Sequence, residues 1–327
     1  MVLLLSCALI ASAAAQPADF THFEDVLFPK WVDSMVAADG TPGQFSWLPK
    51  WRRNASQNVA TIYGATDLVY VMWAVGQLDA LDRGKRAAWG TVINSFQDPS
   101  TGYFWPFAYE VQNVRNWPWH PTHAAFETLA LLGVSPAHEP TAVQALLRNH
   151  SAWGPFMDEY VRDSLNIWSG SQEAQSLPGI ARAANPEAGQ AFYDFYFGWL
   201  ANFSDAATGY WVPLCGQEDP PPAHCSSADR VNQLGGAFHL YHVHSCFGRA
   251  WPHPDKVVDA TLASQDSATG RWKEPAGSRV SRDELSNCID LDGVYSLTRS
   301  SRLAALRTAR RRTSTTCRAR RRSRGEG

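Results

Sequence analysis

Five small groups of polar residues stand out along this 327-residue chain: Asp67, His123 with Glu127, Gln172 with Glu173, His239 with His242, and Asp290 with Asp292. Each lies near the start of an apolar segment with helical spacing. His123 and Glu127 are four residues apart, so on a helix they face the same way. Asp290 and Asp292 interrupt an otherwise apolar helix and are the strongest single candidates. Convergent carboxylates and imidazoles are what glycan hydrolysis or elimination needs: one group protonates the leaving oxygen, another activates water or takes a proton. The residue types therefore point to Asp290 or Asp292 with His123 or Glu127 as acid and base, and to Asp67 as a further catalytic carboxyl. Glu173, His239 and His242 are expected to contact substrate.

Each group also has a plainer role. Asp67 follows Thr66 and suits a helix N-terminus, where the dipole favours an acid. The His123 and Glu127 pair suits an ordinary intrahelical contact, Glu173 suits a cap, and one of Asp290 and Asp292 suits a buried partner for a histidine or arginine. His239 and His242, with His244 beyond, are loosely spaced for a metal, and no nearby acid completes a familiar motif. No metal and no cofactor is expected.

Fourteen tryptophans are many for this length. Most belong at helix ends as packing residues. Trp117 and Trp119, in Trp117-Pro118-Trp119-His120 just before a helix, suit a cavity mouth, where indole faces meet sugar rings. A hydrophobic isoprenoid would accept the same surface.

The elements that must position these residues are marked by a recurring cassette: Gln97-Asp98-Pro99-Ser100-Thr101-Gly102-Tyr103, Asp205-Ala206-Ala207-Thr208-Gly209-Tyr210-Trp211, and Gln265-Asp266-Ser267-Ala268-Thr269-Gly270-Arg271-Trp272. The copies lie 107 and 61 residues apart, about two units and one unit of a period somewhat above fifty. Asp39-Gly40-Thr41-Pro42-Gly43-Gln44-Phe45 is a blurred fourth copy. The Asp or Ser can cap, the Gly supplies a tight turn, and the aromatic packs under the next helix.

Between the cassettes the periodicity predicts helices over about 20–37, 66–81, a second ending near 96, 123–132, 142–147, 171–184, 186–203, 233–247, 255–265 and 287–297, with breaks at Gly84, Gly133 and Pro252. Helical hairpins repeated in this way bury one face against their neighbours. The expected fold is all-α, an α/α toroid of about six hairpins over residues 16–298, incomplete at its C-terminus.

The segment His123-Ala124-Ala125-Phe126-Glu127-Thr128-Leu129-Ala130-Leu131-Leu132-Gly133, with its returning Q-D-x-x-T-G-x-W turn, resembles the repeats of the squalene-cyclase and protein-prenyltransferase superfamily of α/α toroids. The Asp98-to-Gly102 turn is similar to one in the (α/α)6 barrels of unsaturated glucuronyl hydrolases and related polysaccharide enzymes. The resemblance covers most of residues 60 to 298 and speaks to architecture rather than activity. The acidic D-x-D-D motif of protonating terpene cyclases is matched only by Asp290-Leu291-Asp292-Gly293, without its fourth acid. The zinc-binding D-x-C element of the prenyltransferases does not occur; Cys288-Ile289-Asp290 has the order reversed.

Residues 1–15 carry an uncharged apolar run followed by small residues, the pattern of a secretory signal. It is too short to span a bilayer, and no later segment is long enough to do so. Export to an extracellular or lumenal compartment agrees with sequons at Asn54, Asn149 and Asn202. It also agrees with four core cysteines, expected to pair as Cys215 with Cys225 and Cys246 with Cys288. From Arg299 onward the chain carries eleven arginines and one acid, leaving 18 basic against 30 acidic residues before it. Such a contrast sets residues 299–327 apart from the fold, as a disordered tail or a misread frame or intron. No nucleic-acid partner is expected.

Three functions are compatible with these features. The first is a secreted carbohydrate-active hydrolase or lyase, the second an isoprenoid-processing toroid, and the third a noncatalytic extracellular toroid that binds glycan or protein.

Overall fold

A computed structural model describes residues 22–37, 43–46, 49–52, 58–105, 118–163, 167–184, 189–212, 230–267, 270–272 and 288–301. Among these residues regular structure is helical, apart from isolated β-bridges, so the chain is all-α. The helices are α1 (Phe28–Met35, preceded by a π-helical turn at Phe23–Leu27), α2 (Ile62–Ala74), α3 (Arg83–Asn94) and α4 (Trp119–Leu132). They continue as α5 (Thr141–Arg148), α6 (Trp153–Met157, running on as a π-helical turn at Asp158–Arg162), α7 (Ile167–Ala184) and α8 (Gly189–Phe203). The remaining ones are α9 (Arg230–Cys246), α10 (Pro254–Ala263) and α11 (288–301). The break expected at Gly84 lies earlier: Gly84 is inside α3, whose N-terminus is capped by the Asp82 carboxylate accepting from Lys85 N–H at 2.8 Å. The turn falls instead at Gly76, which takes the left-handed φ of +73°.

By internal contacts the chain divides into two compact units. One comprises Met1–Gly154 with Gln172–Phe195, the other Pro155–Ser171 with Tyr196–Gly327. In the first, α2 packs on α3 and α4, and α3 packs on α4. On these helices Ile62, Leu68, Val69, Ile93, Ala125 and Leu129 are fully buried. In the second, Leu200, Leu234, Tyr241, Val257, Trp211 and Trp251 are the buried centre.

The cassette is one turn built three times over. Asp98 N–H donates to Tyr103 O, Asp205 N–H to Tyr210 O and Asp266 N–H to Arg271 O, at 2.7 to 2.8 Å. The glycine N–H returns to the aspartate carbonyl in each copy, and Gly102, Gly209 and Gly270 all have φ near +70° (75°, 73° and 68°), where an L side chain is strained. The Asp98 carboxylate accepts from Ser100 N–H and from the Ser100 and Thr101 hydroxyls, which hold it below the usual carboxylate range. Asp205 accepts from Ala207 N–H and the Thr208 hydroxyl in the same way. An antiparallel bridge closes each turn, Gln97 with Phe104, Ser204 with Trp211 and Gln265 with Trp272; Val36 with Phe45 closes the longer fourth copy.

The closing aromatic joins the turn to the helices on either side. Trp211 Nε1 donates to Leu200 O and Trp272 Nε1 to Thr261 O, each at 2.9 Å and each eleven residues back, in the preceding helix. Burying an indole such as Trp211 removes about 200 Å² of mostly apolar surface, which stabilises by up to roughly 5 kcal/mol. On the other side Phe104 meets Phe126 of α4 edge-on at 6.0 Å, and Trp211 meets Tyr241 of α9 at 4.9 Å. The following helix also grips the turn backbone: Thr122 Oγ1 accepts from Phe104 N–H at 2.9 Å, and Asp290 Oδ1 accepts from Trp272 N–H at 3.1 Å.

The expected disulfide between Cys246 and Cys288 is not formed; both are thiols. Cys246 Sγ lies instead 3.5 Å from Nε2 of His242, one turn earlier on α9. Cys215 and Cys225 lie outside the described residues, as do the residues assigned to the signal and most of the arginine-rich tail. No helix among the described residues is long and apolar enough to cross a membrane.

Candidate active site

In the first unit, α2 and α4 form a ladder of polar contacts. Tyr63 Oη lies 3.1 Å from His120 Nδ1, and Tyr70 donates to Glu127 Oε2 at 2.6 Å. Both pairs are 57 residues apart, so the two helices run parallel and in register, one repeat apart. On α2 the polar stripe is Tyr63, Asp67 and Tyr70, at the i, i+4, i+7 spacing of one helix face; on α4 it is His120, His123 and Glu127. His123 Nε2 lies 3.1 Å from Glu127 Oε1, so one carboxylate is held by a phenol on one oxygen and an imidazole on the other. The Glu127 side chain is 33% exposed whereas that of His123 is 2% exposed, which makes Glu127 the member of the pair that an incoming molecule can reach.

The third wall is α7. Glu173 Oε2 accepts from Trp119 N–H at 2.9 Å and His120 N–H at 3.2 Å, so this carboxyl caps the first turn of α4 from another helix. Just past α7's midpoint, the Pro178-Gly179 pair sits where most helices would break. Its packing reason is visible: a Cβ built on Gly179 would overlap the His123 ring, meeting Cδ2 at 2.5 Å and Cε1 at 2.8 Å. The bare backbone of α7 is therefore the floor on which His123 lies. His123 Nδ1 is buried and has no hydrogen-bond partner.

Burial sets the charges. It pushes the Glu173 carboxyl up to about 8, against the two N–H groups that favour its ionised form. It also raises the Asp67 carboxyl. His120 is driven down to about 3, chiefly by burial, so it stands neutral against the Tyr63 phenol. Tyr63 and Tyr70 are raised, chiefly by burial, with Glu173 and Asp67 adding to the first and Glu127 and Asp67 to the second; both remain phenols. The cluster thus offers one reachable carboxyl, Glu127, beside two, Asp67 and Glu173, that burial shifts toward the protonated form. Carboxyls in unlike environments, one reachable from solvent and others raised by burial, are the combination that acid–base chemistry uses.

The residues singled out in the sequence divide between the units. Asp67, His123, Glu127 and Glu173 come together in the first. Trp119 also lies there, buried edge-on against Tyr103 at 5.2 Å as a packing residue, whereas Trp117 lies outside the described residues. His239, His242, Asp290 and Asp292 belong to the second unit. Asp290 is committed to Arg271, with Nε at 2.8 Å and a terminal nitrogen at 2.7 Å, and to the Trp272 N–H; it holds the turn as Thr122 does one cassette earlier. Asp292 is 2% exposed and raised by burial; Trp168 donates to it, while Oδ2 has no partner.

His239 Nδ1 lies 2.9 Å from Ser171 Oγ, which also bonds Trp168 O. His242 packs between Phe238 and Tyr295, beside Cys246. His244, beyond them, lies with Nδ1 2.9 Å from Leu240 O and is lowered to about 4 by burial, a packing histidine.

Sequence reasoning missed Tyr63, Tyr70, His120 and Gly179. A signal for three of them was present: Tyr63 and Tyr70 flank Asp67 at i−4 and i+3, and adding one repeat of 57 to each gives His120 and Glu127. Nothing in the linear sequence pointed to Gly179 as the His123 floor. Among the described residues, no group of three or more His, Cys, Asp or Glu is placed to hold a metal ion. No protein-family model matches the chain, and no curated protein matches it.

Proposed function

We propose that this chain is an exported α/α toroid acting on glycans, as a hydrolase or lyase, with its site at the α2–α4–α7 cluster. The observation that carries the reading is the Tyr70–Glu127–His123 contact. It holds a solvent-reachable carboxylate in a fixed orientation beside Asp67, a carboxyl that burial disposes to keep its proton. Glu127 then serves as base or nucleophile and Asp67 as the acid that protonates the leaving oxygen. His123 and Tyr70 orient Glu127, and Glu173 positions the first turn of α4. The toroid is supported by the alternation of helices, the repeated cassette and the in-register parallel pair one repeat apart.

The test is a screen of the secreted protein against neutral and uronic-acid polysaccharides, reading both new reducing ends and the absorbance of unsaturated products. Turnover that falls by about 10²-fold or more in both Glu127→Gln and Asp67→Asn supports the reading. Thermal stabilisation by a glycan without turnover replaces it with a binding toroid. Silence in both assays overturns it and turns attention to isoprenoid substrates.

A further inference from the structure

We propose that Trp168 is a sugar-stacking platform, a glycan-binding site within the second unit that shares no residue with the acid–base cluster. For the class of its ligand this rests on the glycan-active reading above; for its place it rests on the contacts of Trp168 alone.

The indole is fixed from three directions. Trp168 stands in the first turn of α7, where its backbone N–H donates to Asn232 Oδ1 of α9 at 2.9 Å. A Cβ built on Gly235 of α9 would lie 2.5 Å from Cδ1, 2.8 Å from Cγ and 2.9 Å from Nε1. Three adjacent ring atoms at nearly equal distances place the Gly235 backbone over the face of the indole rather than at its edge, so α9 closes that face. The indole N–H, the one side-chain donor a tryptophan has, goes to Asp292 of α11. All of these residues belong to the second unit.

This hold weakens the elements that supply it. Gly235 and Gly236 stand together inside α9, and a glycine within a helix destabilises it. Gly236 lies in the same way under Ile167, whose Cγ1 an added Cβ would meet at 2.9 Å. Asp292 is 2% exposed, and its Oδ2 has no partner, which is unfavourable for a buried carboxyl. A tryptophan kept for packing disappears into the core, as Trp211 and Trp251 do at 1% exposed. Trp168 instead remains partly exposed, and among the described residues no aromatic ring packs on it. Stability is thus given up to orient an indole whose open surface faces away from α9.

An open indole face carries the negative lobe of the ring quadrupole. The C–H groups on one side of a pyranose are apolar and slightly positive, and its hydroxyls project around the rim, so the sugar lies flat on the indole with its hydroxyls beyond the edge. The half-exposed neighbours are polar: Ser169, next on α7, and Asn232 on α9. A polar rim suits hydroxyls, whereas an isoprenoid chain needs apolar surface that continues past the ring.

The experiment is a calorimetric titration of the full secreted chain with hexasaccharides of glucose, mannose, xylose, N-acetylglucosamine and galacturonate, comparing wild type with Trp168→Phe and Trp168→Leu. Phe keeps a flat face over Gly235, and Leu fills much of the same space without one. At least one hexasaccharide should bind, with Trp168→Phe holding its affinity within about three-fold and Trp168→Leu losing about tenfold or more, while the two variants melt alike. Equal affinity in wild type and Trp168→Leu overturns the inference and leaves the glycan-active reading standing. An equal loss in Phe and Leu does the same, because the position then acts through packing alone. No hexasaccharide bound and none cleaved overturns both.

Discussion

The contact between Gly179 and His123 makes a prediction whose sign depends on the partner. In Gly179→Ala the new methyl overlaps the imidazole, with Cδ2 at 2.5 Å and Cε1 at 2.8 Å, so the ring or α7 must move. Overpacking of this kind costs about 1–3 kcal/mol. The ring is 2% exposed and bonded to Glu127, so it has little room to yield. In a His123→Ala background the obstacle is gone, and the same substitution now replaces a mid-helix glycine by the best helix former, a gain of up to about 1 kcal/mol. The change of sign amounts to a coupling of roughly 2–4 kcal/mol.

Urea unfolding followed by tryptophan fluorescence on all four members of the cycle measures it as midpoint shifts at constant slope. In thermal melts each kcal/mol corresponds to about 2–4 °C for a unit of this size. If Gly179→Ala is neutral or stabilising while His123 is present, or costs the same in both backgrounds, α7 does not lie against that ring and the account of His123 orientation fails.

Stability of the first unit should peak in mildly acid solution. The Glu173 carboxyl is raised from 4.5 to about 8, so between those values the folded state holds a proton the unfolded chain has lost, and stability falls as pH rises through that window. His120 is depressed from 6.5 to about 3, so stability falls as pH drops through that range. Glu173→Gln, whose amide oxygen can still accept from the Trp119 and His120 N–H groups, should flatten the alkaline limb alone; unchanged melting between pH 5 and 8 would contradict the burial argument. Asp290→Ala should lower stability by about 1–2 kcal/mol by removing the ion pair to Arg271 and the acceptor of the Trp272 N–H, while Asp290→Asn keeps part of it and neither alters turnover. A large loss of turnover in Asp290→Asn, with melting intact, would return Asp290 to the catalytic list. Asn149 and Asn202 are exposed at the ends of α5 and α8, so expression in a eukaryotic secretory host should add glycans that an N-glycosidase removes, and Asn→Gln at both should abolish that mass shift.

What the sequence determined by itself is the local architecture. Most helix positions followed from the apolar period, although α2 ends at Ala74 rather than 81 and α6 had no counterpart in it. The cassette's role followed from residue types whose constraints act over a few bonds: an aspartate that accepts from the N–H two residues on, and a glycine that alone tolerates φ near +70°. The same reasoning placed the Gly133 stop and the packing aromatics. At Gly84 the break had moved eight residues back, because Asp82 is a strong cap and Gly76 took the left-handed turn.

What only the tertiary structure decided is which side chains meet, because the partners lie 54 to 57 residues away in sequence for Glu173, Tyr63 and Tyr70. Asp290 and Asp292 looked equivalent in the sequence; folding gave one to Arg271 and left the other buried with an orphaned oxygen. Cys246 and Cys288 satisfied the arithmetic of pairing but not its geometry. His123 and Glu127 could be paired from their spacing alone. That Glu127 is also gripped by Tyr70, and that His123 lies on the bare backbone of Gly179, required three helices to arrive at one place. Burial, which sets whether these groups keep their protons, is a property of that assembly and of no single segment.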